Sequence, residues 1–137
     1  MDIKYWAEHV NSENNPNVKA LAKLGKNDVV TEAHLRLAQR TIAHRLVVGL
    51  MEQMEESIHR FNIVLGIDET TELNRSCMDE FFGHGLKKSN SHSHPEVPEG
   101  SPAWKILAEK NVWDLKLHDF IVEQFDIQRD LFLDKDI

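Results

Sequence analysis

Seven residues, Gly83-His84-Gly85-Leu86-Lys87-Lys88-Ser89, gather two ammonium groups and a hydroxyl beside flexible glycines. Such a set can make charge-assisted hydrogen bonds to a phosphate. The spacing is not that of the nucleotide P-loop, G-x-x-x-x-G-K-[ST], and no apolar strand of useful length precedes it. An ordinary solvated loop fits these residues as well as an anion site does, because both kinds of residue collect on loops. Further on, His92-x-His94 has the spacing of a metal-binding pair. Without a third ligand such a pair makes no specific site, and the surrounding Ser89, Asn90, Ser91 and Ser93 mark a solvated loop, so no metal is expected. Glu52 follows an apolar run, where a carboxylate could orient a base or hold a polar loop. The commoner reading is an acid at a helix N-terminus, stabilised by the helix dipole by about 0.3–1 kcal/mol. Glu55 and His59 stand four apart on a helical stretch, so a surface pair is the default. Neither Ser57 nor Cys77 has a base nearby in sequence, so nucleophilic catalysis has no case and no catalytic residue is expected.

These residues need elements to position them. Leu35, Ala38 and Ile42 repeat at helical spacing and predict a helix over about 32–43, with Thr31 as its cap and Glu32 favourable in its first turn. Leu46-Val47-Val48-Gly49-Leu50 is a continuous apolar run, the pattern of a strand covered on both faces. Met51, Met54, Ile58, Phe61 and Leu65 then step by three and four, the apolar stripe of a helix over 52–65 that Gly66 ends. A short helix over 3–10 and a weak helical patch over Val18–Leu24, ended by Gly25, precede them. Residues 67–80 are ambiguous, and 86–100 is a polar, Pro-containing loop. Ser101-Pro102 is a helix start and Asn111 a stop. Asp114 is expected to cap a last helix whose wide apolar face holds Leu117, Phe120, Ile121, Phe125 and Leu131 or Phe132. Trp104 and Trp113 read as packing anchors, His44 lies just before the apolar run, and His118 reads as a helix-surface residue.

Three segments carry a family likeness. Val47-Val48-Gly49-Leu50-Met51-Glu52, followed by Glu56-Ser57 and a helix, resembles the hydrophobic-Val-Gly-x-x-Glu…Glu segment of Golgi carbohydrate sulfotransferases, above all the heparan sulfate (uronosyl) 2-O-sulfotransferase group. Phe81-Phe82-Gly83 followed by Lys87-Lys88-Ser89 resembles that group's Phe-Phe…(Arg/Lys)-Lys-(Thr/Ser) region. Trp113, Asp119-Phe120, Glu123-Gln124-Phe125 and Arg129 resemble its terminal helix. The resemblance covers residues 17–132, as the C-terminal part of such an enzyme. It implies an α/β fold of the P-loop-like sulfotransferase type, represented here by a mainly α fragment with one short buried-type strand at 46–50. Residues 1–137 would then form a single partial domain. It also implies contacts from Lys87, Lys88 and Ser89 to the 3′-phosphate or adenosine side of the donor, 3′-phosphoadenosine 5′-phosphosulfate. A complete relative would pass a sulfuryl group to a hydroxyl of a glycan acceptor at the Golgi membrane, by in-line displacement that rests on positioning and charge stabilisation. The donor's 5′ loop, the base and the Arg…Ser clamp of that family lie upstream of the matched region. The chain alone is therefore expected to transfer no sulfate.

Composition bounds the alternatives. One domain of ordinary globular make-up is expected from 137 residues with 41% hydrophobic and 28% charged side chains. Net charge is −7, which disfavours nucleic acid and suits a glycosaminoglycan-sulfating surface poorly. Cys77 is the sole cysteine, so no internal disulfide is available. No stretch reaches the roughly 18 apolar residues of a membrane span, and the first residues lack a signal-peptide h-region, which makes the cytoplasm the default location for this chain. The competing expectation, from a different class, is a small acidic helical module that binds a partner protein or a second copy through an exposed apolar face.

Overall fold

The spacing of Leu35, Ala38 and Ile42 produces what it predicts. All three are buried on one stripe of a helix that runs Glu32–Arg45. Thr31 enters it in extended backbone, and His34 Nδ1 accepts the Thr31 N–H at 3.1 Å. The computed structural model describes residues 3–9, 14–82 and 96–133, and among them the regular elements are all helical. These are α1 (Ile3–Glu8), α2 (Pro16–Leu21), α3 (Glu32–Arg45), α4 (Met54–Leu65), α5 (Glu72–Phe82), α6 (Pro102–Lys110) and α7 (Val112–Gln128), with 3₁₀ turns at Met51–Gln53 and Arg129–Leu131. The ambiguous stretch thus resolves as α5. Two compact units emerge, one drawn from residues 1–46 and 94–123, the other from 47–93 and 124–137.

The first unit is held by apolar packing and by an exchange of helix caps. Ala7, Val18, Val30, Leu35, Ala38, Ile42, Ala103 and Leu117 are its buried apolar residues. Helix α1 packs on α6, and α2 on α3. Helix α6 starts as its Ser-Pro signature requires: Ser101 Oγ accepts the Trp104 N–H at 3.2 Å, and Pro102 fills the first helical position. Asn111 stops it, its own N–H bonded to Leu107 O at 3.0 Å. Asp114 corrects the sequence expectation. It lies inside the first turn of α7 and caps α2 instead, its carboxylate accepting the N–H groups of Asn17 (2.9 Å) and Val18 (2.8 Å). In return Asn15 caps α7, its Oδ1 accepting from Trp113 N (2.8 Å) and Asp114 N (3.0 Å). Asn15 sits at φ 49°, a left-handed conformation that Asn tolerates better than most residues. Two helix starts thus satisfy each other's orphan N–H groups.

The second unit corrects the strand. Residues 46–50 are extended, with Leu46 at φ −126°, ψ 142° and Leu50 at φ −114°, ψ 134°. They join no ladder, and no strand exists among the described residues. Buried N–H and C=O groups need partners, but the partners need not be backbone. Here side chains supply them. Gln128 Oε1 accepts the Val48 N–H at 3.0 Å, and Ser57 Oγ accepts the Leu50 N–H at 2.8 Å. The run is also not covered on both faces: Val48 and Leu50 are buried, whereas Leu46 and Gly49 are exposed. Gly49 is required by close approach. A Cβ there would stand 2.7 Å from Phe61 Cζ and 3.0 Å from Ser57 Cβ.

Helix α4 holds a second reversal. It spans the expected residues and ends at Gly66, at φ 68°, with Ile67 N–H bonded to Asn62 O at 2.8 Å. Yet the residues it buries are Ser57 and Arg60. Of the apolar stripe, Met51 is 77% exposed, Leu65 70% and Phe61 36%. Met54 and Ile58 are half-buried, so the apolar stripe is only partly covered while the fully buried positions of the helix are polar.

Candidate functional site

Arg60 is the reason α4 turns its polar side inward. Only 1% of the residue is exposed. Its Nη1 donates to Phe125 O at 2.6 Å, and its Nη2 pairs with Glu56 one turn earlier on α4. The guanidinium lies 3.7 Å from the centroid of the Phe125 ring, and Phe132 adds a second, longer contact at 5.6 Å. Arg129 reaches the same Glu56 oxygen at 3.5 Å. A planar fork can serve a carbonyl, a carboxylate and an aromatic face together, which a lysine cannot. The Arg60 hydrogen bond holds the Glu56 carboxyl below its ordinary pKa, outweighing the opposing effect of burial. Arg60, Ser57 and Gln128 each spend their polar atoms on holding the backbone or Glu56, so they are structural side chains.

Beside this cluster the second unit opens a groove of about 760 Å³. It is lined by Met51, Glu52, Gln53, Met54, Glu55, Glu56, His59, Glu69 and Met78. The 3₁₀ turn presents Met51 and Glu52, and the first turns of α4 present Met54, Glu55, Glu56 and His59. The Asp68–Thr71 turn places Glu69: Thr70 N–H and Oγ1–H both donate to Asp68 Oδ1, at 2.8 and 2.6 Å, and these bonds lower the Asp68 pKa. Glu69 then faces α4, where His59 Nδ1 lies 2.8 Å from its Oε2 and Asn62 Nδ2 donates to its Oε1 at 2.8 Å. Burial pushes the Glu69 pKa up, but the bonds from Asn62 and His59 prevail and leave it lowered. His59 therefore pairs with Glu69 and not with Glu55.

Four carboxylates, one imidazole and three thioethers share this groove, with no lysine or arginine in its lining. The arrangement can attract a cationic group while offering soft apolar surface. Methionine is suited to that second task, being unbranched and polarisable. Among the described residues no group of His, Cys, Asp and Glu side chains is arranged to hold a metal ion.

The other candidates fall elsewhere. Lys87, Lys88 and Ser89, to which the sulfotransferase resemblance assigns donor contacts, lie outside the described residues, as do His92 and His94. Cys77 is exposed on α5, and His44 and His118 are exposed on α3 and α7. Trp113 is half-buried, with Lys116 Nζ 4.6 Å from its ring centroid. Sequence reasoning missed Arg60 and Glu69. The Glu56/Arg60 spacing of four is the one signal present, and by itself it marks an exposed pair. Among the described residues no helix is long and apolar enough to cross a membrane. In comparisons with known proteins, no protein-family model, no curated protein and no solved structure matches the chain.

Proposed function

We propose that the second unit is a docking module for a partner protein, and that its groove takes a basic, amphipathic segment of that partner. The observation that carries this reading is the apolar surface left along α4 and the turn before it: α4 buries Arg60 and Ser57, while Met51, Phe61 and Leu65 stay at the surface. Exposed apolar stripes of this kind mark interaction sites. Met54 belongs to that stripe and also lines the acidic groove, so the apolar and anionic surfaces are continuous. Glu52 and Glu55 remain available for lysine or arginine side chains. A second copy of this chain is the poorer occupant, because it would bring like charges together on a protein of net charge −7.

The test is a titration of the isotope-labelled protein followed by amide NMR. The probes are a helical Leu/Lys peptide, its Leu/Glu counterpart and 3′-phosphoadenosine 5′-phosphate. The expected result is saturable shifts over residues 51–59 with the Leu/Lys peptide, weakened about tenfold in a Glu52→Gln/Glu55→Gln double variant, where about 1.4 kcal/mol is a factor of ten. Shifts of equal size with both peptides, or none with the Leu/Lys peptide, would refute docking. The sulfotransferase reading stands as a second proposal on its motifs, with Lys87, Lys88 and Ser89 as the donor contacts. Saturable nucleotide binding, lost in a Lys88→Ala variant, would support it.

A further inference from the structure

Lys19 sits on α2 in the first unit and is only 8% exposed. Its ammonium has three N–H donors, and one is taken, by Lys26 O at 2.7 Å. Among the described residues no carboxylate comes within ion-pair distance of it. Buried charges are ordinarily paired with an opposite charge, because taking an ion out of water is costly. Lys19 also lines a cavity of about 1030 Å³, together with Leu24, Lys26, Val30 and Trp113. The lining is mixed: Val30 and the Trp113 ring form an apolar side, and Lys26, Lys110, Asp28 and Glu109 bring further charges, with cations in excess. An aromatic-sided cleft with a few convergent polar groups is the make-up of a small-molecule site. The two acids in the lining form no ion pair with Lys19: Asp28 Oδ2 accepts the Gly25 N–H at 2.7 Å, and Glu109 is exposed.

The geometry points to a binding site for a small organic anion, with an acidic headgroup on Lys19 Nζ and a flat apolar body against Val30 and Trp113. The headgroup is a carboxylate or a phosphate monoester, both of which accept charge-assisted hydrogen bonds from an ammonium. The site is independent of the groove in the second unit.

The experiment titrates the labelled full chain with phenylacetate, phenyl phosphate and the neutral phenylacetamide, with amide NMR as readout. The expected result is saturable shifts at Lys19, Val30 and Trp113 with at least one anion. That anion should bind at least about tenfold tighter than phenylacetamide, and comparison of the two anions assigns the headgroup. In Lys19→Met, which keeps the stem and removes the charge, that preference should vanish while the melting temperature holds or rises, because apolar replacement of a buried ion is often stabilising. Lys19→Arg should retain the preference. Equal affinity for anions and amide in the unaltered protein, or no saturable shift with either anion, would overturn the proposal, whatever happens to the variants.

Discussion

The two units are stabilised by different means. The first buries aliphatic side chains, and its polar bonds join helix ends, as in the Asn15–Asp114 exchange. The second buries Val48, Leu50 and Phe125 around Arg60, Ser57 and Gln128, and it draws the backbone bonds of an extended segment from those polar side chains. Apolar packing is spread over many contacts, so no one atom decides it. A polar centre concentrates its stability in a few atoms, each of which leaves an unsatisfied partner when removed. The second unit is also the one that leaves much of an apolar stripe, Met51, Phe61 and Leu65, at its surface.

The largest effect that could break this contrast is at Arg60. Arg60→Ala should cost about 2–5 kcal/mol, measured by urea denaturation, because it empties a buried side-chain volume and leaves Phe125 O without its donor. Arg60→Lys should not restore it, because a lysine lacks the fork that serves Phe125 O and Glu56 together. A loss below about 1 kcal/mol would mean that the guanidinium is a surface group in solution.

A smaller loss is expected in the first unit. Asp114→Ala should cost about 1–2 kcal/mol, the range of a helix-cap deletion. Combined with Asn15→Ala, the two losses should fall short of their sum, since both residues serve one network. Strict additivity would show two independent caps and remove the exchange from the account.

The smallest effect is the response to acid. Glu56 and Glu69 have folded pKa values below their ordinary 4.5, through the bond from Arg60 in one and those from Asn62 and His59, against burial, in the other. A depressed carboxyl pKa contributes stability that is present above 4.5 and is lost as pH falls through the folded value. Denaturation midpoints should therefore decline on acidification below about pH 4.5, and a Glu56→Gln/Glu69→Gln variant should flatten that decline. An equal decline in the variant would place the acid-sensitive groups elsewhere.

Much of the helical layout could be read in advance. The Leu35, Ala38, Ile42 stripe, the Ser101-Pro102 start and the Gly66 stop each act locally, so local sequence specifies them. The errors arise where distant residues decide. An apolar run such as 46–50 reads as a covered strand, and nothing local reveals that Gln128, 80 residues away, will take the Val48 N–H. The three-and-four spacing of Met51, Met54, Ile58, Phe61 and Leu65 reads as a helix stripe, and nothing local marks Arg60 as a core residue, which arginine rarely is. Arg60 becomes one only through Phe125 O and Glu56, and the former is 65 residues off. Of the groove, Glu52 and His59 were visible as candidates, but Glu69 was not, since a turn of the chain brings it to α4.

The cap exchange has a consequence for the order in which the chain assembles. Helix α2 has six residues, too few to persist alone in water. Its first N–H groups are held by Asp114, 96 residues further on. The entropy of closing so long a loop must be met before the helix gains its anchor. A growing chain emerging from the ribosome therefore cannot secure α2 until α7 has been synthesised, and a helix made before α7 waits for it to settle.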